Sequence, residues 1–262
     1  MIEFLGKLAG ALMGPEHDSD SRALLYVKGK KESRLQSECL QILKHDYASD
    51  RSRTEYPLGT EQVKHWNALL DERGYFDDKS GLKKSKKKGR IDVVGIGQDN
   101  SLSHLLEIKL WSAGDAVDNS RYLLGREGRE VKHSISKSFE VDALKIFSIE
   151  GEMNLHRCIV TAMFTLHCDG MPKSDLKARK MPYLDLLTKQ NKDKAGFGTS
   201  DDYRRVGLDT MLTQLGEQFG PGTSTNAKFS HVAAFGRSSA SWNGVDISLD
   251  LILAELGMPT GG

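Results

Sequence analysis

Residues 89–111 read GRIDVVGIGQDNSLSHLLEIKLW. Two apolar runs, Arg90–Ile96 and Leu102–Trp111, flank Gly97-Gln98-Asp99-Asn100-Ser101, a cluster of turn formers. Aliphatic and β-branched runs on either side of such a cluster predict two paired strands. A regular hairpin centred between Asp99 and Asn100 pairs Ile96 with Ser103, Val94 with Leu105 and Asp92 with Glu107. Gly97 is where a bulge would shift that register. Directly opposed residues share a sheet face, with Cβ atoms about 4.5–5.5 Å apart. Lys109, two residues beyond Glu107, falls on the same face.

The chain around this hairpin alternates helical and strand-like patterns, which predicts the α/β class. Glu32 to Leu43 carries Leu35, Cys39, Ile42 and Leu43 at helical spacing, and Thr54 to Leu58 reads as a short strand ended by Pro57 and Gly59. Thr60 to Gly74 predicts a helix with Thr60 as N-cap, Val63, Trp66, Leu69 and Leu70 on one face, and Gly74 as stop. Residues 130–149 read as a helix faced by Ile135, Phe139, Leu144 and Phe147. Cys158–Leu166 (CIVTAMFTL) is nearly all apolar, as a strand buried on both faces would be. Beyond residue 170 the pattern predicts a basic helix over Lys173–Lys194, a loop at 195–200 and a helix over Tyr203–Phe219. A loop over Gly220–Thr225, a strand over His231–Phe235 and a closing helix over Leu249–Leu256 complete the reading. The resulting division is an N-terminal helix and loop (1–29), a core (30–168) and a C-terminal extension packed on it (169–262), where recognition elements would lie.

Two carboxylates opposed on one face repel unless they are protonated or bridged by a cation. With a lysine beside them they form a kit for phosphodiester hydrolysis. The carboxylates suit Mg²⁺, a hard cation that keeps several waters, and Mn²⁺ would substitute. The metal polarises a phosphoryl oxygen and lowers the pKa of a bound water, while Lys109 orients that water or meets the growing charge.

In Asp92 of GRIDVVGI and Glu107-Ile108-Lys109 of LLEIKLW, the chain resembles the PD-(D/E)XK nuclease superfamily, the restriction-endonuclease-like fold. The resemblance covers roughly residues 30–168 and includes the helix SKSFEVDALKIF followed by the strand CIVTAMFTL. It implies a central mixed β-sheet flanked by helices, with extra helical and strand elements at the C-terminus. It implies Asp92, Glu107 and Ile108 at the metal and Lys109 in catalysis. Glu32 resembles the helix-borne glutamate that many members contribute, and it lies within the apolar stripe of its helix, where an acid needs a reason. Glu38, at the edge of that stripe, and Glu55, on the short strand, are its rivals.

Glu-x-Lys alone carries little weight. Glu130-Val131-Lys132 fits it, and Asp77-Asp78-Lys79 and Asp175-Leu176-Lys177 fit the looser form. Glu107 differs in lying on an apolar strand opposite another strand's aspartate. The competing reading is a chance acidic hairpin neutralised by surface lysines.

Lys83, Lys84, Lys86, Lys87, Lys88 and Arg90 place six positive charges in eight residues just before Asp92. A solvated loop has this composition, and so does a surface that holds phosphates without reading bases. Lys173, Lys177, Arg179 and Lys180 form a second basic cluster. Overall, 37 Lys and Arg against 36 Asp and Glu leave a net charge of +1, which says nothing about partners. His104 is out of phase with Glu107 and predicts a core histidine on the opposite face, and His167-Cys168 lacks a second pair to complete a zinc site. Trp66, Trp111 and Trp242 are too scattered for a base-stacking platform, and the absence of a G-x-x-x-x-G-K-[ST] loop argues against ATP dependence.

Cys39, Cys158 and Cys168 lack metal or redox spacing and read as thiols of a reducing compartment. No apolar run approaches the eighteen or so residues that span a bilayer. MIEFLGKLAGALMG carries Glu3 and Lys7 and lacks a positive leader, so it reads as an amphipathic helix (Ile2, Leu5, Leu8/Ala9, Leu12) docked on its own domain. The expectation is a cytoplasmic, Mg²⁺-dependent endonuclease with no membrane partner. Its preference for DNA over RNA rests on the resemblance alone. Cutting both strands of a duplex commonly needs two active sites, which a homodimer would supply. The alternative is a catalytically silent nucleic-acid-binding or partner-docking module on the same fold.

Overall fold

The computed structural model describes residues 1–13, 31–75, 89–114, 116–117, 135–150, 154–167, 169, 199–220, 226–237 and 246–257. In chain order its elements are α1 (Ile2–Met13), α2 (Lys31–Asp46), β1 (Arg53–Pro57), α3 (Thr60–Glu72), β2 (Arg90–Ile96) and β3 (Leu102–Ser112). These are followed by α4 (Ile135–Phe147), β4 (His156–His167), α5 (Ser200–Phe219), β5 (Ala227–Arg237) and β6 (Asp246–Leu256). The strands form one six-stranded sheet in the order β1-β2-β3-β4-β6-β5. β3 and β4 run parallel and every other neighbouring pair is antiparallel, so the sheet is mixed and the class is α/β.

Side-chain alternation gives the sheet two apolar faces. Leu106, Ile108, Cys158, Val160, Ala162, Leu249, Leu251 and Leu253 pack under α1 and α2. Leu105, Ile159, Met163, Ile252 and Ala254 pack under α4 and α5, and Leu70 of α3 meets Leu144 of α4 beside them. Burial on both faces explains the unbroken apolar run of β4.

The hairpin register holds in the middle, where Val93, Val94 and Gly95 face Leu106, Leu105 and His104. The pairing then shifts between Gly95 and Ile96, so Ile96 faces Leu102 and not Ser103. The bulge presses Ser103 against Gly95: a Cβ there would lie 2.7 Å from Ser103 Oγ, so the close approach requires the glycine. The turn closes through Gly97 N–H to Ser101 O (3.0 Å), with Asn100 at φ +67°.

The largest departure is at the C-terminus. Leu249–Leu256, expected as a helix, lies within strand β6, paired along its length with β4 and β5. Leu249, Leu251 and Leu253 face one side and Ile252, Ala254 and Leu256 the other, and a run apolar on both faces has no period that separates strand from helix. Smaller corrections concern ends. Gly59, not Thr60, is the N-cap of α3, its N–H donating to Gln62 Oε1 at 2.6 Å. In α1, Leu5, Leu8, Ala9 and Leu12 are buried as expected, but Ile2 is 66% exposed and Phe4 is buried in its stead. The basic helix expected over Lys173–Lys194 lies outside the described residues. Among the described residues no helix is long and apolar enough to cross a membrane.

Candidate active site

Asp92 sits where strand pairing loosens. β1 pairs with β2 through Thr54–Val93 and Tyr56–Ile91, and between these pairs Glu55 adopts φ +52°. The β2–β3 ladder runs no further in this direction than Val93–Leu106. Freed from a flat ladder, the Asp92 carboxylate accepts the Ile108 N–H at Oδ2 (2.7 Å) and the Gln36 side-chain amide of α2 at Oδ1 (3.2 Å). The same Gln36 amide donates to Glu55 Oε1 at 3.1 Å, tying α2, β1 and β2 together.

Glu107 is 1% exposed on the α4 side of β3. Lys145 of α4 donates to its Oε2 at 2.6 Å, and Trp66 places its ring 5.8 Å from the same ammonium. Lys109 Nζ lies 2.5 Å from Asp142 Oδ2, an ion pair without hydrogen-bond alignment, and Lys145 Nζ is 3.4 Å from Asp142 Oδ1. Asp142 and Lys145 are one helical turn apart, so α4 delivers an acid and a base to one spot. Neither was singled out in the sequence. The available signal was charge inside an apolar stripe: Asp142 follows Ile135 and Phe139 at helical spacing and precedes Ala143 and Ile146.

Asp92, Glu107 and Asp142 bring three carboxylates to two ammoniums, one negative charge in excess. Burial first, and the nearby Asp142 second, push the Glu107 carboxyl well above the ordinary range, against the pull of Lys145. Burial draws both lysines down, but Asp142 at Lys109 and Glu107 at Lys145 outweigh it, and both ammoniums are held more firmly than in water.

A divalent cation fits the donors to this extent. Glu107 Oε1 is buried without a hydrogen-bond partner, and the excess negative charge is what a cation would neutralise. Among the described residues no group of three or more His, Cys, Asp or Glu is placed to hold a metal. Mg²⁺ asks for less, taking one or two carboxylates and filling its remaining positions with water and phosphate.

The other sequence candidates fall as follows. Glu32 is in the first turn of α2 and its side chain lies outside the described residues; Gln36, four residues on, is what α2 brings to Asp92. Glu38 pairs with Arg34 on its own helix. Glu55 is exposed, shares Gln36 with Asp92 and pairs with Arg90 at 3.3 Å. Lys83, Lys84, Lys86, Lys87 and Lys88 lie outside the described residues. His104 faces away from Glu107, as its phase requires; its Nδ1 meets Ser103 Oγ at 3.0 Å and its ring stacks on His156, but Nε2 has no hydrogen-bond partner. His167 Nε2 meets Ser248 Oγ at 2.8 Å. No family model matches the chain, and no curated protein or solved structure matches it.

Proposed function

We propose that this chain is a Mg²⁺-dependent nuclease of the PD-(D/E)XK type that hydrolyses phosphodiester bonds as an endonuclease, on DNA in preference to RNA. The observation that supports it is the proximity of Asp92, held from the α2 side of the sheet, to Glu107 and Lys109 on the α4 side. Asp92 bonds to the amide directly after Glu107 and helps to raise its pKa, and a carboxylate oxygen is left unsatisfied in a buried, negatively charged spot.

Asp92 and Glu107 would hold the cation, which when bound supplies Lewis acidity and a more acidic water. The protein's own groups do the positioning. The Ile108 N–H and the Gln36 amide fix both oxygens of Asp92. Lys145 anchors one oxygen of Glu107 and leaves the other open. Asp142 holds Lys109, whose ammonium would meet a phosphate oxygen or orient the attacking water. Cys39 and Cys158 are free and buried, their thiols pushed up by burial, as suits a cytoplasmic protein.

A second reading, the silent module on the same fold, is favoured by one feature. Lys145 and Lys109 already neutralise Glu107 and Asp142, as a purely structural ion network would. Incubating supercoiled plasmid and single-stranded RNA with Mg²⁺ or with EDTA decides between them. The nuclease reading expects Mg²⁺-dependent nicking or linearisation of the plasmid that Asp92→Ala and Glu107→Gln abolish. Intact plasmid with every divalent ion tried, or cleavage that survives both substitutions, overturns it.

A further inference from the structure

The two edges of the sheet are built differently. β1 is short, ends in Pro57 and is distorted at Glu55, features that prevent a further strand from adding. β5 is eleven residues long (AKFSHVAAFGR), contains no proline and follows β6 in unbroken register from Ala227–Leu256 to Arg237–Asp246. Among the described residues nothing pairs with the outer side of its backbone: β6 is its one sheet neighbour, and the His231 side chain bonds back to Asp250 of β6 (Nε2–Oδ1 2.9 Å). An open strand of this length presents a row of unmatched N–H and C=O groups, a template for another strand.

We infer that β5 pairs antiparallel with β5 of a second copy of this chain, giving a two-fold dimer with a continuous sheet. Strand chemistry selects this occupant. A two-fold axis at Val232 supplies an antiparallel strand of matching length, and its register sets His231 opposite Ala233, Ser230 opposite Ala234 and Phe229 opposite Phe235. The strand carries Lys228 and Arg237 and no acid, so parallel stacking of two copies would align like charges. The antiparallel register instead sets Lys228 against Gly236 and Arg237 against Ala227.

Helix α1 extends the same surface. It packs on β5 and β6 at this edge, and its outward line is Ile2, Gly6 and Gly10, with Ile2 66% exposed and open space at both glycines. Two such helices meeting across the axis can approach closely and cover Ile2, which adds apolar area to the strand pairing.

Light scattering of the full chain at micromolar concentration tests the inference without reference to cleavage, so its failure and that of the nuclease reading are distinguishable. The expected mass is twice 29.0 kDa, falling to the single-chain mass in Ser230→Lys/Ala233→Lys with an unchanged far-ultraviolet circular dichroism spectrum. Should those lysines disturb folding, Val232→Cys gives an independent measure. The axis sets position 232 against itself, so mild oxidation should convert most of the protein to a covalent dimer, above the level seen in the wild type with its own three cysteines. A wild-type chain that runs as a monomer overturns the inference, including one that instead takes up an added extended peptide. So does a dimer that both survives the lysines and fails to cross-link through position 232.

Discussion

Lys145 Nζ lies 2.6 Å from Glu107 Oε2 inside the protein, and the two residues are 38 positions apart in the chain. Removing one member of a buried pair strands the other charge, typically at a cost of about 3–5 kcal/mol. Lys145→Met should therefore destabilise the fold by roughly that amount, since Glu107 and Asp142 would both lose a counter-ion. Lys145→Met/Glu107→Leu should recover most of the loss. Urea unfolding of both variants and the wild type measures the coupling, and additive losses would mean that the pair is not an energetic unit.

Asp92 and Glu107 should bind Mn²⁺ together. Calorimetric titration should show a site in the wild type that is lost in Asp92→Asn and in Glu107→Gln. The metal-free Asp92→Asn variant should be as stable as the wild type or slightly more so, because it relieves like-charge repulsion at Glu107, whereas Glu107→Gln leaves Lys145 with Asp142 alone and should be destabilised. Unchanged Mn²⁺ binding in both would remove the shared-site assignment.

His104 makes stability fall in acid. Burial, together with the stacked His156, lowers its pKa from 6.5 to about 4 in the folded chain. The unfolded chain therefore binds the proton first as pH drops below 6.5, and the folded state loses stability progressively down to about pH 4. The full effect is on the order of 3 kcal/mol. His104→Phe should flatten this part of the stability–pH curve relative to wild type. Parallel curves for the two proteins would show that another group is responsible.

The lysine-rich segment 83–88 should bind phosphates without reading sequence. Replacing Lys83, Lys84, Lys86, Lys87 and Lys88 with Gln should weaken binding equally on unrelated duplexes. It should also make the log–log salt slope shallower by about 0.9 per lost contact. Two or three contacts, about half the segment, is the expected loss, because flexible lysines rarely all engage at once. Arg90 is left in place because it already pairs with Glu55. An unchanged salt slope would return the segment to solvent and leave Lys173–Lys180 as the remaining basic candidate.

What the sequence revealed follows how far apart the interacting residues are. The β2–β3 hairpin is local: alternation and turn chemistry within 23 residues specify it, but the bulge expected at Gly97 lies at Gly95–Ile96, and Asp92 and Glu107 are not paired in the ladder, which reaches only Val93–Leu106. The pairing of Asp142 with Lys109 and of Lys145 with Glu107 depends on how α4 crosses the sheet, which no local pattern encodes. Gln36 was passed over because a neutral amide in a helix carries no charge signal, although it bonds two acids at once. β6 was misread because an apolar run buried on both sides has no period to detect. Ile2 and Phe4 exchanged roles at a helix end, where a shift of phase by two residues costs little.

The parallel pairing of β3 with β4 has a kinetic corollary. Parallel neighbours cannot be joined by a tight turn, so the chain must travel out and back before they meet, and α4 lies on that excursion. The β2–β3 hairpin can form within microseconds by itself, whereas closing the longer loop comes later. Until β4 docks, Asp92, Glu107 and Lys109 lie close together on the hairpin but without Lys145 and Asp142 above them, in water that screens their repulsion. Burial of the acids and arrival of their counter-ions are thus one event on the folding path. A chain stalled before it would carry the motif but not the chemistry, so full-length synthesis past residue 167 should precede any metal-loaded state.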